Sequence, residues 1–276
     1  MGALEFLYGT AAGRALLRLL AGRGISRMAG KMLDTPASRV LIGGFIRRAG
    51  IDTEEFDLSG IRSFNDFFCR PLKPGRRPVD EDPAALIAPC DALLTAVPIR
   101  KSTVLQVKQS RWSAERLLND PALAAEFDGG MCLVFRLCVR HYHRYVYFDS
   151  GTKGSDVVLP GRLHTVRPVA LERVPVFTEN SREYTVIESE IFGRAVQAEV
   201  GAMLVGRIVN NDPGPGPVRR GEEKGRFEYG GSTVLILLKE NAVVLRNDIL
   251  RASAAGIETP VRLGERIGTG SGSQLA

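Results

Sequence analysis

Apolar side chains near the start of the chain recur at helical spacing. Leu4, Leu7, Ala11, Ala15 and Leu19 fall on one stripe, with Arg14 and Arg18 on other faces. Thr35-Pro36 supplies an N-cap and a first-turn proline for a further helix. That helix carries Val40, Leu41, Phe45 and Ile46 and closes near Arg47, Arg48 and Gly50. From about residue 85 the pattern changes to short apolar runs punctuated by Gly, Pro, Asn and Asp, the signature of strands and turns. Met131–Phe148, Thr185–Glu188, Ala195–Val209 and Thr233–Leu238 are the clearest runs, and Ser113–Asn119 is the clearest helix among them. The order predicts an α+β chain: a helical N-terminal segment over 1–62, then a mostly antiparallel β-sandwich or barrel over 63–276. With 276 residues, 44% of them hydrophobic, the chain can bury one sizeable core and carry an appendage.

Charge divides the chain near residue 50. Residues 1–50 hold eight basic side chains against two acids, and the remainder balances at 29 of each, so the whole net charge of +6 lies in the first 50 residues. A surface for nucleic acid would not concentrate its charge this way, and none is expected as a partner. Glu5, Arg14 and Arg18 keep the first apolar stretch short of the ~20 apolar residues of a spanning helix. The stretch also lacks the basic–apolar–small order of a secretory signal. A basic amphipathic segment of this kind suits an anionic membrane surface, where each Lys or Arg contributes roughly 1 kcal/mol, and it equally suits an ordinary helical cap. Four cysteines without a CxxC pair and three histidines point to neither a disulfide framework nor a metal site, and a reducing compartment fits best.

The candidate chemistry centres on Gly230-Gly231-Ser232-Thr233, a turn that feeds the apolar run Val234–Leu238. A serine hydroxyl in such a turn can attack the preceding carbonyl. An N-to-O acyl shift gives an ester, β-elimination gives dehydroalanine, and hydrolysis releases ammonia and leaves a ketone on the new N-terminus. Gly230 and Gly231 permit the close approach, and Thr233 sets a second hydroxyl beside the reacting one. As a bare tripeptide, Gly-Ser-Thr is an everyday turn into a strand. The attack needs a base, and the base an orienting carboxylate. His141 and His143 would share a strand face with Tyr145 and Tyr147, His164 follows a Pro160-Gly161 turn, and Asp91 stands at the end of an apolar run. No G-x-S-x-G elbow surrounds Ser232, which argues against a serine hydrolase.

Eight segments, in order, carry a resemblance from about Ser63 to Ile267. They are Phe64–Pro78, Ala88–Asp91, Tyr142–Arg144, Pro160–Val166, Phe177–Glu183, Val200–Gly206, Arg220–Phe227 and Gly231–Thr233. Together they make the chain similar to the phosphatidylserine decarboxylases; the Gly-Glu-Glu-Lys-Gly-Arg-Phe run ahead of Gly-Ser-Thr is the most specific. The resemblance implies cleavage between Gly231 and Ser232 into a β chain, 1–231, and an α chain, 232–276, that stay together as a heterodimer, with a higher oligomer left open. It implies a pyruvoyl group made from Ser232 as the cofactor, which forms a Schiff base with phosphatidylserine and yields phosphatidylethanolamine and CO2. Asp91 matches the family carboxylate of the cleavage triad. His143 matches the first histidine of a Tyr-His-Arg-x-x-His-like run, a residue tied to decarboxylation. The later histidine, cast as the triad base, would fall at or near Val146, which takes no proton. Either His143 serves both steps or another histidine substitutes, His164 first and His141 next. The resemblance further implies a peripheral protein on the cytoplasmic face of the membrane. Two other readings remain at this stage: a related pyruvoyl decarboxylase of a free aromatic amino acid, and a non-catalytic membrane-binding homologue.

Overall fold

A computed structural model describes residues 3–20, 23–100, 105–107, 110–165, 170, 174–202, 207–229 and 232–272. Gly230 and Gly231 lie outside the described residues, as do the side chains of Leu4, Arg14, Arg18 and Leu19.

The single N-terminal stripe divides at Thr10. Helix α1 (Ala3–Gly9) ends there, and α2 (Ala11–Leu20) begins with Thr10 Oγ1 accepting from the Gly13 amide at 2.9 Å. The two helices cross so closely that a Cβ on Gly13 would lie 2.0 Å from the Phe6 carbonyl oxygen. The crossing buries Leu7, Tyr8 and Leu17 but leaves Ala11 and Ala15 exposed, so the burial differs from the sequence stripe. Helix α3 (Arg23–Leu33) follows. Pro36 then opens a short 3-10 turn with Thr35 as its N-cap, α4 (Val40–Ala49) continues from it, and Gly50 ends α4 in the left-handed region at φ 63°.

Helix α5 (Phe64–Phe68) starts in a reciprocal capping box between Ser63 and Asp66. It ties the helical segment to the body. Asn65 Nδ2 donates to Asp34 Oδ1 at 2.8 Å, and its Oδ1 accepts from the Tyr229 amide at 3.2 Å. Phe45, Phe64, Phe68 and Tyr229 form an edge-to-face cluster: Phe45–Phe64 at 5.1 Å, Phe64–Tyr229 at 5.0 Å and Phe68–Tyr229 at 5.1 Å. Such pairs contribute roughly 0.5–1.5 kcal/mol each beyond their buried area. Tyr229 is therefore clamped one residue ahead of the Gly230-Gly231 pair.

The body is antiparallel in every strand pair described. Its strands are β1 (Ala85–Ile87), β2 (Ala92–Pro98), β3 (Leu105–Val107), β4 (Ser110–Trp112), β5 (Met131–Leu137) and β6 (Arg144–Val146). They continue with β7 (Gly151–Lys153), β8 (Val157–Leu159), β9 (Arg182–Ser189), β10 (Gly193–Val200), β11 (Ile208–Asn210) and β12 (Gly216–Val218). The last are β13 (Glu223–Phe227), β14 (Ser232–Leu238), β15 (Val243–Leu245), β16 (Thr259–Val261) and β17 (Arg266–Gly270). Nine make the main sheet, ordered β12-β7-β9-β10-β14-β5-β2-β16 with β8 added on β9. One face packs on helices α6 (Ala114–Leu118), α7 (Pro121–Ala125) and α8 (Val176–Glu179), together with Leu7, Tyr8 and Leu17. Against the other lie two three-stranded sheets, β11-β13-β6 and β1-β17-β15, which bring in Tyr145, Phe227, Leu245 and Ile267. The expected helical start and antiparallel body are both present.

Two sequence readings change in detail. The run Met131–Phe148 is not one strand: β5 stops at Leu137, a turn closes through the His141 amide donating to the Cys138 carbonyl at 2.9 Å, and β6 begins only at Arg144. His141 and His143 thus sit in and after a turn and do not alternate along a strand. The run Ala195–Val209 likewise divides between β10 and β11.

Phe135, at the centre of β5, has no exposed surface and lies between β14 and β2. Its replacement by alanine is expected to lower unfolding free energy by about 3–5 kcal/mol, read from urea melts of the purified protein.

Candidate active site

Ser232 is the first residue of β14, and β14 is hydrogen-bonded on both sides, to β5 and to β10. Its side chain is wholly buried. Alternation from the apolar residues Val234, Ile236 and Leu238 turns Ser232 toward the face covered by the two small sheets. There its Oγ lies 3.4 Å from His143 Nδ1.

The second nitrogen of His143 fixes the tautomer. Nε2 is 3.2 Å from the Cys138 carbonyl oxygen, which can only accept, so Nε2 carries the proton. Nδ1 is then the bare acceptor facing the serine hydroxyl. Burial, with the Arg70 guanidinium and His141 adding to it, pushes the His143 imidazole well below its usual pKa, so it stands neutral at physiological pH. A neutral ring with its lone pair on the hydroxyl is the form a general base requires. Phe68 lies against the ring at 4.0 Å between centroids and 30° between planes, which excludes water from that side.

Arg70 holds the turn that presents these groups. It is fully buried, its guanidinium lies 4.1 Å from the Phe56 ring centroid, and it donates to the carbonyls of Phe67, Phe68, Arg140 and His141 at 3.3–3.5 Å. Burial lowers its pKa to about 10, which still leaves it charged. Residues 138–143 are thereby fastened to α5. In the sequence Arg70 stands only as one arginine after Phe-Phe-Cys within the Phe64–Pro78 motif.

Asp91 sits immediately ahead of β2. Its Oδ1 accepts from the Leu263 amide at 2.9 Å and from Arg77 Nε at 2.9 Å, and its Oδ2 accepts from Arg77 Nη2 at 2.8 Å. Arg77 also grips Glu55 through two bonds of 3.0 and 2.9 Å. The described hydrogen bonds of Asp91 therefore go to Arg77 and Leu263, and none goes to a histidine. Asp91 and His141 do line one cleft of about 330 Å³ with Glu55, Arg77, Arg140 and Arg262. His141 accepts the Cys138 amide on Nδ1 at 3.1 Å, and burial lowers its pKa to about 4, partly offset by Asp91.

The remaining candidates lie elsewhere. Thr233 points to the helix-covered face, is wholly buried, and its Oγ1 has no hydrogen-bond partner among the described residues. His164 is buried beside α1: its Nδ1 is 3.5 Å from the Tyr8 hydroxyl and its Nε2 3.5 Å from Glu179. Its amide and carbonyl are held by Asn180 at 2.9 and 2.8 Å. None of these contacts reaches Ser232. The structure brings Ser232 and His143 together, sets His141 on the same turn, and leaves His164 outside the group.

The model of the family described as phosphatidylserine decarboxylase matches residues 64–269. The chain belongs to the phosphatidylserine decarboxylase family. It is 40% identical over 268 residues to phosphatidylserine decarboxylase proenzyme 2 of Clostridium acetobutylicum, covering 97% of this chain and 91% of that one. It is 40% identical over 270 residues to the proenzyme of Ruminiclostridium cellulolyticum, covering 96% and 90%. Its identity to the proenzyme of Clostridium perfringens is 36% over 270 residues, covering 96% and 92%. The family match begins at α5 and ends in β17, so it contains Arg70, Asp91, His143 and Ser232. These relatives are named as proenzymes.

Arg70→Met keeps the length of the side chain but removes its hold on the 138–143 turn. It is expected to slow any reaction at Ser232 by roughly tenfold or more while the far-ultraviolet spectrum stays unchanged. Because the His143 imidazole titrates well below 6.5, that reaction is expected to keep its rate from pH ~8 down to pH ~6, falling only at lower pH as the base takes a proton. A fall centred on the ordinary histidine pKa would contradict the burial of His143.

Proposed function

We propose that this chain is a self-processing phosphatidylserine decarboxylase that cuts itself between Gly231 and Ser232. The observation that carries the reading is the contact of the sealed Ser232 hydroxyl with the bare Nδ1 of a neutral His143. His143 takes the hydroxyl proton as Ser232 Oγ bonds to the Gly231 carbonyl carbon. The Gly231–Ser232 C–N bond then breaks and the proton passes to the serine nitrogen, leaving an ester. Loss of the Ser232 α-proton expels the Gly231 carboxylate, and water converts the resulting enamine to a ketone and ammonia. The products are a β chain, 1–231, and an α chain, 232–276, whose first residue is a pyruvoyl group.

Once formed, that ketone supplies the electron sink for loss of CO2 from an amino acid headgroup. His143 stands beside residue 232 and is the group proposed to return a proton to the product, so one histidine serves both stages where Val146 offers none. Asp91 remains the proposed carboxylate of the cleavage set and acts by its charge, since its oxygens are held by Arg77 and Leu263. His164 is not needed for either stage in this scheme.

The substrate reading rests on the family and on the helical segment. Phe6, Leu16, Met28, Met32, Val40 and Leu41 are exposed apolar side chains within the first 50 residues, which carry the net positive charge of the chain. Their exposure, up to 85% at Val40, suits contact with an anionic bilayer. No helix among the described residues is long and apolar enough to cross a membrane. Residues 1–62 are thus proposed to rest on the cytoplasmic face and deliver the headgroup of phosphatidylserine to residue 232, giving phosphatidylethanolamine and CO2.

Intact-mass measurement is expected to find two chains, the smaller one lighter by one ammonia than a fragment beginning with serine. Ser232→Ala and His143→Ala are expected to stay whole, whereas His164→Ala is expected to cleave normally. CO2 release from phosphatidylserine vesicles should accompany cleavage. An uncut wild-type chain with an unmodified Ser232 would overturn the proposal.

A further inference from the structure

Between the main sheet and the β11-β13-β6 sheet lies an ion pair with no part in the chemistry described so far. Lys224, on β13, and Glu199, on β10, have no exposed side-chain surface, and Nζ lies 2.7 Å from Oε2. Removing two charges from water is costly, and a fully buried lysine and glutamate between two sheets call for a reason. Their positions suggest one. Glu199 lies opposite Val234 in the β10–β14 register, and Val234 shares its strand face with Ser232. On β13, three residues beyond Lys224, the Phe227 amide donates to the His143 carbonyl at 2.9 Å. The pair therefore joins β10, which is laddered to the strand that opens with Ser232, to β13, the strand that holds the His143 carbonyl.

The interlayer is fastened at two neighbouring points. Gln197 Nε2, on β10, donates to the Val146 carbonyl on β6 at 3.1 Å. Asn210, on β11, donates to Glu183 on β9 at 3.0 Å and accepts from Lys224 and from the Tyr145 hydroxyl at 3.2 and 2.9 Å. Gly225 lets the layers close: a Cβ there would lie 2.3 Å from the Val209 carbonyl oxygen and 2.8 Å from the Tyr145 hydroxyl. The Gly-Glu-Glu-Lys-Gly-Arg-Phe run thus places a charged tether and the glycine that accommodates it side by side.

We propose that the Lys224–Glu199 pair is a positioning device for the reaction at residue 232, fixing the spacing between the two strands so that His143 meets the serine hydroxyl. It is not a catalytic pair, since neither residue is in contact with Ser232 or His143 among the described contacts. The inference rests on the self-cleavage reading.

Each single replacement strands one buried charge, and the two charges are relieved by opposite changes of pH. In Lys224→Met the unpaired Glu199 becomes neutral as pH falls; in Glu199→Gln the unpaired Lys224 becomes neutral as pH rises. The other ionisable groups facing the pair are Glu183, Asp156, Tyr145, Tyr147 and Cys90, and all remain in both variants. Cleavage of freshly made precursor is followed on gels between pH ~6 and pH ~9, each rate divided by that of the wild type at the same pH. Lys224→Met is expected to be slowed by roughly tenfold at the alkaline end, where Glu199 is ionised, with the deficit shrinking toward acid, and Glu199→Gln by roughly tenfold near neutrality, with the deficit shrinking toward alkali. The double variant, which carries neither charge, should cleave faster than either single. Melting curves in an uncleavable Ser232→Ala background separate folding from rate.

Wild-type rates in both singles, deficits with the same pH trend, or a folded double variant slower than both would overturn the inference. A wild-type chain that never cleaves would instead overturn the reading on which it rests.

Discussion

A hydroxyl sealed from water at the head of a central strand can give up its proton only to a group sealed in with it. That constraint governs this molecule. Ser232 is buried because β14 is an interior strand with apolar residues on both faces, and the same burial keeps the neighbouring imidazole neutral. Exposure of the pair to solvent would hydrate the hydroxyl and raise the pKa of the imidazole toward its ordinary value, so that water would compete for the contact and part of the imidazole would be protonated near neutrality. Desolvation thus sets both the dryness of the contact and the charge state of the histidine.

Keeping such a pair in register requires rigid material around it, and that material is largely cationic and aromatic. Arg70 ties the histidine turn to α5 through backbone carbonyls, a use that draws on both terminal nitrogens of the rigid guanidinium and on no carboxylate. Arg77 does the converse, drawing two carboxylates into one place. The aromatic cluster of Phe45, Phe64, Phe68 and Tyr229 links the helices to the residue just ahead of the glycine pair. The helices are therefore packed onto the residue that leads into the glycine pair ahead of β14, and disturbance of the first has a physical route to the second.

Much of this was legible in the residues. Pro36, Gly50 and Ser113 carry their helix boundaries, and the apolar run of β14 marks a strand in the sequence itself. The departures have specific physical causes. Thr10 and Gly13 break the first helical stripe through a side-chain cap and a close crossing, neither of which disturbs the apolar period. His141 and His143 read as strand neighbours because their surroundings are β-branched and aromatic, yet a turn closed by Cys138 intervenes. His164 was a reasonable substitute base on residue type, but a tertiary contact with Tyr8, 156 positions away, decides where it lies. Arg70 and Lys224 left almost no signal, since a buried cation and a solvated one look alike in a string of letters.

The place of β14 within the sheet has a further consequence. Both of its neighbours, β5 and β10, precede residue 231, and β15 to β17 interleave with β1 and β2 in the same way. A chain severed ahead of Ser232 would remain woven into its other half along two full ladders, so the fragments could not part without dismantling the core. Mature molecules would then never trade halves, and each would keep for life the companion with which it was translated.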